Sequence, residues 1–262
     1  MSQVVEKKIR ERIAIVRLNR PSSYNAIDMD MARGLAETLV QLSSDNNIKG
    51  VVITGSGKAF CSGGDLRWIS QQGERYHDTF YRIVGEFNRA IVEIRNMKKP
   101  VFAAINGMAA GGGFSLALSC DFRIMESQAN LILAYTSRGL SIDGGGTFTL
   151  PRIVGISKAL EIVAFDRPIS SEEALRLGLV NEVVEEGRSV ERSIELIKQI
   201  LNKVSLNSYA ICKRLFYESF FNPLELQLEK EREAISLASE HPDGREGIAS
   251  FLEKREPVYN KD

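Results

Sequence analysis

Two glycine-rich stretches decide the fold: AFCSGGDL at residues 59–66 and PVFAAINGMAAGGG at residues 100–113. Each is tied to a short apolar run, at 50–55 and at 100–105, of the length and composition typical of a buried strand. The second stretch continues into an Ala/Leu/Ser segment at 114–120 that predicts a helix. A helix N-terminus presents backbone N–H groups without intrahelical partners and favours negative charge. Two such turns that converge would form an oxyanion hole, although both are equally typical of tight connections.

Strands alternate with helices through the first two thirds of the chain, with a glycine-rich loop predicted over 55–65. The last quarter is helical, with helical patterns over 189–220, 223–239 and 244–253. An apolar repeat over residues 29–42 predicts a helix with Asp28 as its N-cap, and another repeat predicts a long amphipathic helix over 78–97. This order is typical of an α/β core with a helical C-terminal extension. We therefore expect a core that holds the site, residues 1–200, and a helical region, residues 201–262.

Composition excludes several classes of protein. The 262 residues carry 34 basic and 34 acidic side chains, and this balance argues against a nucleic-acid partner. Cys61, Cys120 and Cys212 are too few and too scattered for a disulfide framework or a zinc site. The charged start, residues 1–12, does not resemble a secretory signal, and the apolar run at 101–118 is too interrupted to span a membrane. We therefore expect a cytoplasmic protein with no membrane partner.

Other catalytic motifs are not matched. Residues 55–58, GSGK, resemble a phosphate-binding loop only loosely, because the four-residue gap is missing and Ala59 follows in place of Ser or Thr. His77 and His241 are the only histidines, and both stand among charged residues, so a His-centred triad is not expected. No spacing of ligand residues indicates a metal site.

The two glycine-rich stretches together resemble the signature of the enoyl-CoA hydratase/isomerase (crotonase) superfamily. The likeness continues through CDFR at 120–123, LPRIVG at 150–155, ALRLGLV at 174–180 and REGIASFLEKR at 245–255. The resemblance implies an α/β fold, a crotonase-like spiral of ββα units with a C-terminal all-helical trimerisation region, assembled as a homotrimer or a dimer of trimers. It also implies an acyl-CoA substrate, with coenzyme A entering as part of the thioester and no separate cofactor.

Matching positions in the family motifs imply roles for individual residues. The backbone N–H groups of Gly64 and Gly112 would hold the thioester oxygen and stabilise an enolate, each by about 3–4 kcal/mol. Analogy assigns the coenzyme A path to Ser62, Gly63, Asp65 and Leu66, and phosphate contacts to Lys213 and to Lys254 or Arg255. For these basic side chains a solvated helix face is an equally good interpretation.

The acid and base groups distinguish the reactions of the family. Hydratases resemble one another in two glutamates, and the matching places here hold Ser115 and Tyr135, neither of which is a base near neutral pH. Asp143 stands where enoyl-CoA isomerases and chlorobenzoyl-CoA dehalogenases also carry an aspartate. The dehalogenases add a His and a Trp, for which this chain has Asn88 and Tyr135.

The favoured hypothesis is a double-bond shift that converts a 3-enoyl-CoA to a 2-enoyl-CoA, with Asp143 moving the proton. Tyr135, Trp68 and Ser115 are expected to line the substrate pocket. An aspartate before three glycines is also ordinary turn chemistry. Hydratase, thioesterase or dehalogenase activity and a non-catalytic acyl-CoA-binding role are the alternatives, and the acyl group is left open.

Overall fold

The computed structural model describes residues 4–73 and 75–260 of the chain. The chain divides into two compact units: residues up to 95 together with 100–194, and residues 96–99 together with 195 onward. The sequence-based border at 200/201 lies a few residues beyond this division. No described helix is long and apolar enough to cross a bilayer.

The first unit contains two sheets. Its strands are β1 (Val5–Arg10), β2 (Ile13–Leu18), β3 (Gly50–Gly55), β4 (Ala59–Cys61), β5 (Val101–Ile105), β6 (Met108–Ala110), β7 (Phe122–Glu126), β8 (Asn130–Ile132), β9 (Ile169–Ser170) and β10 (Glu182–Val184). The larger sheet has the order β1-β2-β3-β5-β7-β10, and the smaller has the order β4-β6-β8-β9. Only the β1–β2 and β8–β9 pairs among these strands are antiparallel.

Helices follow the strands. They are α1 (Met29–Ser44), α2 (Leu66–Ser70), α3 (Tyr76–Asn96), α4 (Gly112–Ser119), α5 (Gly146–Val154), α6 (Ile156–Phe165), α7 (Ser171–Arg176), α8 (Ser189–Lys203), α9 (Leu206–Ser219), α10 (Leu224–Glu240) and α11 (Pro242–Glu253). The predicted α1 is confirmed together with its cap, because the Asp28 carboxylate accepts a hydrogen bond from the Met31 amide at 2.9 Å.

From β3 to β8, successive strands of the first unit alternate between its two sheets. Strands β3, β5 and β7 lie side by side in the larger sheet, and β4, β6 and β8 lie side by side in the smaller. Repetition of strand, strand and helix in this way is the expected spiral of ββα units. Because β4 and β6 are parallel, with Cys61 opposite Ala109, their carboxyl ends deliver the two glycine-rich turns to the same edge of the sheet.

The structure corrects three details of the sequence reading. The predicted loop over 55–65 contains β4, a strand too short for its alternation to be visible in the sequence. The predicted helical run over 189–220 is two helices, because Ser205 begins a new one by capping the Ser208 amide at 3.3 Å. Helix α6 was not predicted.

Candidate active site

The two glycine-rich turns are in contact. Gly63 has φ +87° and Gly111 has φ +52°, both in the region that favours glycine. A Cβ atom on Gly63 would lie 2.9 Å from the Gly112 nitrogen and 2.8 Å from the Ala110 oxygen. Only glycine at position 63 therefore allows the backbones of the two turns to approach so closely.

The amides of Gly64 and Gly112 stand outside the regular hydrogen-bond patterns. Gly64 forms an isolated parallel bridge with Ile27, whose N–H donates to Gly63 at 2.7 Å and whose carbonyl accepts from Asp65 at 2.9 Å. In such a bridge the middle residue directs its own N–H away from its partner. Gly112 is the first residue of α4, so its N–H precedes the intrahelical ladder. Both amides are therefore placed to serve a ligand.

An arginine that the sequence analysis did not single out fixes the first turn. The Arg20 guanidinium lies 3.0 Å from the carboxylates of both Asp28 and Asp65, and all three side chains are largely buried. Asp65 also caps α2 by accepting from the Trp68 amide at 2.9 Å. Its carboxylate is thus committed to holding the turn, which leaves its backbone as the part that could line the expected coenzyme A path.

The Asn25 side chain holds the backbone before the first glycine-rich turn. It is fully buried with φ +56°, and its Oδ1 accepts from the Arg20 amide at 3.0 Å. Its amide group donates to the carbonyls of Ser56 at 2.9 Å and Ala59 at 2.8 Å. Sequence reasoning missed Asn25 because a single asparagine near a proline reads as an ordinary turn residue.

Asp143, Tyr135 and Ser115 form a connected polar group. The Tyr135 hydroxyl donates to Asp143 Oδ1 at 2.5 Å, and the Ser115 hydroxyl donates to the Asp143 carbonyl at 2.8 Å. Ser115 and Tyr135 also lie 3.3 Å apart through their oxygens. The structure therefore joins three residues that the sequence analysis had placed near the substrate.

Asp143 belongs to a turn that packs on the start of α4. A Cβ atom on the following residue, Gly144, would lie 2.5 Å from the Phe87 ring and 3.0 Å from Ser115 Cβ. The same Phe87 ring would lie 3.6 Å from a Cβ atom on Gly112. The Phe87 ring thus packs close both to the turn of Asp143 and to the helix N-terminus that carries a candidate oxyanion donor.

Burial controls protonation in this group. It raises the pKa of Asp143, and the Tyr135 hydrogen bond offsets part of that rise. The pKa of Tyr135 is raised by burial first and then by the charge of Asp143, so its hydroxyl remains a donor. Burial, with a smaller contribution from Asp143, raises the pKa of Cys61 to about 12. Cys61 is therefore a neutral thiol, which supports a structural role over a nucleophilic one.

The other predicted residues are distributed over both units. In the first, the Ser62 hydroxyl donates to the Ser23 carbonyl at 3.4 Å, Leu66 is exposed and Trp68 is half-buried. In the second, Lys213 is buried in α9, and Lys254 is exposed at the end of α11.

The structure also bears on the C-terminal phosphate candidates and on metal binding. The Arg255 guanidinium is held by the carboxylates of Glu246 and Glu253, both at 2.6 Å, so it is the less favoured of the two C-terminal phosphate candidates. Over residues 4–73 and 75–260, no three His, Cys, Asp or Glu side chains are grouped as a metal ion would require.

Comparison with known proteins identifies the family. A family model described as enoyl-CoA hydratase/isomerase matches residues 8–262. The chain is 30% identical over 261 residues to a 1,2-epoxyphenylacetyl-CoA isomerase of Escherichia coli (strain K12), covering 99% of each. It is 30% identical over 243 residues to 4-chlorobenzoyl coenzyme A dehalogenase-2 of an Arthrobacter species, covering 92% of this chain and 88% of the relative.

A solved structure agrees with these relatives. The structure of an enoyl-CoA hydratase from Polaromonas sp. JS666 is 34% identical, with a TM-score of 0.92, covering 98% of this chain and 99% of that one. The chain belongs to the enoyl-CoA hydratase/isomerase family and is an acyl-CoA-processing enzyme of that family. Because the relatives bear the names of hydratases, an isomerase and dehalogenases, membership does not by itself fix the reaction.

Proposed function

We propose that the protein shifts the double bond of a 3-enoyl-CoA to give the 2-enoyl-CoA, with Asp143 as the base. The Asp143 carboxylate removes a proton from C2, and the electrons move onto the thioester oxygen as a dienolate. The resulting carboxylic acid then returns the proton at C4. Atoms and charge balance within this sequence, so the proposal requires no cofactor beyond the coenzyme A of the substrate.

In the proposed reaction, the dienolate oxygen accepts hydrogen bonds from the amides of Gly64 and Gly112. Two features support this role: the close contact of their turns, and the position of the Gly64 amide beside an isolated bridge and of the Gly112 amide at the first residue of α4. N–H donors that are fixed before the reaction stabilise developing negative charge without reorganisation. In the same scheme Trp68 and the Tyr135 ring border the acyl group, and Ser62, Gly63, Asp65, Leu66, Lys213 and Lys254 are candidates for coenzyme A contacts.

One observation carries the choice of isomerisation: the Asp143 carboxylate is partly buried, has a raised pKa and accepts a hydrogen bond from the neutral Tyr135 hydroxyl, while Ser115 donates to the Asp143 backbone carbonyl. A base whose pKa is closer to neutrality accepts a carbon-bound proton more readily than an ordinary aspartate. Direct hydration is less well supported, because neither Ser115 nor Tyr135 replaces the second carboxylate of the hydratases.

The decisive variant is Asp143→Asn, assayed by ultraviolet absorbance of the conjugated thioester formed from a 3-enoyl-CoA. We expect kcat/KM to fall by about 10²–10⁴-fold, the usual contribution of a general base. Asp30→Asn, which neutralises an exposed aspartate of α1, is the matched control and should retain full activity. A loss of less than about tenfold in Asp143→Asn would remove Asp143 from the mechanism.

The pH dependence provides a second readout of the same proposal. Asp143 must be ionised to accept the proton, and its folded pKa is raised. The wild-type kcat/KM should therefore be lost as pH falls through an apparent pKa above the ordinary aspartate value of about 3.9. The residual activity of Asp143→Asn should lack this acid limb.

A dehalogenase reaction is the second candidate, because a relative with that name is 30% identical and an aspartate could act there as a nucleophile. Products distinguish the possibilities in a panel of 2-enoyl-, 3-enoyl- and aromatic acyl-CoA esters. A conjugated thioester supports the proposal, whereas a hydroxyacyl-CoA, released halide or free coenzyme A would indicate a hydratase, dehalogenase or thioesterase.

A further inference from the structure

The segment that carries Tyr135 is held by one carboxylate, that of Asp166. Asp166 Oδ1 accepts from the Ala134 amide at 2.6 Å. Its Oδ2 accepts from the Ser137 amide at 2.9 Å and lies 3.3 Å from the Thr136 hydroxyl, which also contacts the Val163 carbonyl at 2.7 Å. These donors stand on both sides of Tyr135 in the chain. The carboxylate therefore fixes the short piece of backbone from which the Tyr135 ring projects.

Asp166 occupies a backbone conformation that suits glycine better. It is the C-terminal cap of α6, with φ +41° and ψ +42°, and left-handed caps of this kind are most often glycine. Ala134, which the carboxylate holds, is also left-handed, with φ +57°. Strained conformations of this kind persist when surrounding contacts enforce them. Here the contacts are the hydrogen bonds of the Asp166 side chain, which a glycine could not make.

Asp166 is also held in its charged form. Burial by itself would raise the pKa of Asp166, but the Ser137 side chain, the amides of Ser137 and Ala134 and the Thr136 hydroxyl together lower it below the usual value. The carboxylate is therefore ionised throughout the neutral pH range, where charge-assisted hydrogen bonds are stronger than neutral ones.

We infer that Asp166 is a positioning residue for the base Asp143 and that it acts through Tyr135. The inference rests on the proposed function, since it requires Asp143 to be the base. Asp166 holds the backbone of Tyr135, and the Tyr135 hydroxyl occupies one oxygen of Asp143 at 2.5 Å. The other oxygen, Oδ2, is then the one that takes the proton from C2 and returns it at C4.

The titratable groups around Asp143 make the pH profile informative. Tyr135 faces it from the preceding segment, and the charge of Asp143 helps to raise the pKa of Cys61 in β4, which therefore stays a neutral thiol. Ser115 on α4 and Phe87 on α3 complete the surroundings and do not titrate. Because the Tyr135 hydrogen bond lowers the pKa of Asp143, loss or loosening of that bond must move the acid limb of kcat/KM to higher pH.

The test is a double-mutant cycle of Tyr135→Phe and Asp166→Gly, assayed with a 3-enoyl-CoA. Glycine accepts the left-handed backbone without strain, so any loss in Asp166→Gly reflects the missing carboxylate. We expect each single variant to lose kcat/KM on the order of tenfold, as small displacements of a catalytic group do. Both acid limbs should move to higher pH. The double variant should be no worse than Tyr135→Phe by more than about twofold, because the two residues act through one contact.

Two further variants complete the experiment. Glu11→Gly changes another acidic, left-handed residue, in the exposed turn between β1 and β2, and should leave kcat/KM unaltered. Asp166→Asn tolerates the same backbone and keeps one acceptor oxygen, so it should be intermediate, and it stands in for Asp166→Gly should that variant not fold.

The inference and the proposed function fail differently. Unchanged kcat/KM and an unmoved acid limb in the Asp166 variants, even with a lower Tm, would overturn the inference and reduce Asp166 to a structural cap. Multiplying losses in the double variant would overturn it as well. An active Asp143→Asn enzyme would instead contradict the proposed function.

Discussion

Gly63 and Gly85 differ sharply in what a methyl group would meet. Gly63 has a left-handed backbone, and a Cβ atom there would lie closer than 3 Å to backbone atoms of the neighbouring turn. A Cβ atom on Gly85, within α3, would meet nothing within 4 Å. Gly63→Ala should lower the free energy of unfolding by about 2–4 kcal/mol, combining strain with overpacking. Gly85→Ala should raise it by about 0.5–1 kcal/mol, because alanine loses less entropy in a helix.

Thermal unfolding followed by circular dichroism measures both variants, and kcat/KM adds a second criterion. Gly63→Ala should also lose activity, since the two turns must separate to admit the methyl group. Equal stability of Gly63→Ala and the wild type would show that the contact between the turns is not as close as the structure has it.

At the scale of elements, the start of β4 is held by an asparagine side chain from outside its sheet. Asn25 donates to the carbonyls of Ser56 and Ala59, which flank the turn leading into this strand. Asn25→Ala would remove the donor to the half-buried Ser56 carbonyl and leave the buried Ala59 carbonyl with only the longer Asn106 contact at 3.4 Å, so it should cost about 1–3 kcal/mol of stability. Asn46→Ala, at an exposed position, is the control and should stay within about 0.5 kcal/mol of the wild type. Chemical denaturation distinguishes the two, and equal midpoints would contradict the role given to Asn25.

Element length decided what could be predicted from the sequence. The strands at 50–55 and 101–105 and the helix at 29–44 are long enough for their periodicity to be read. The three-residue strand β4 was expected to be part of a loop and β6 was not predicted, because such short strands gain their structure from pairing with each other rather than from local preference.

The candidate site shows the same limit. The resemblance led to Gly64, Gly112 and Asp143, whereas the Tyr135–Asp143 hydrogen bond depends on how a loop is folded. The hydrogen bonds from the Ala134 and Ser137 amides to Asp166, at the C-terminal end of α6, depend on packing between distant segments. No residue spacing encodes contacts of that kind.

At the scale of the whole molecule, we propose the homotrimer or dimer of trimers that the family resemblance implies. The second unit supports association, because it exposes large apolar side chains on α9 and α11, among them Phe216 at 71% and Phe251 at 82%. Light scattering after gel filtration should give three or six times the 29.2 kDa chain mass. A monomer at micromolar concentration would contradict this expectation. A Phe216→Ser, Phe251→Ser double variant should weaken assembly, and an unchanged mass would show that these side chains lie outside the interface.

The parallel pairing of β4 with β6 ties catalysis to tertiary folding. Each proposed oxyanion donor follows a different one of these two strands, which are neighbours in the smaller sheet although the larger sheet's β5 lies between them in sequence. No local peptide contains both donors. A fragment that ends before α4 would keep Gly64 but lack Gly112, and it should therefore be inactive. The loss of enzyme activity with increasing denaturant should therefore coincide with the unfolding of the first unit, so that catalytic turnover reports whether that unit is folded.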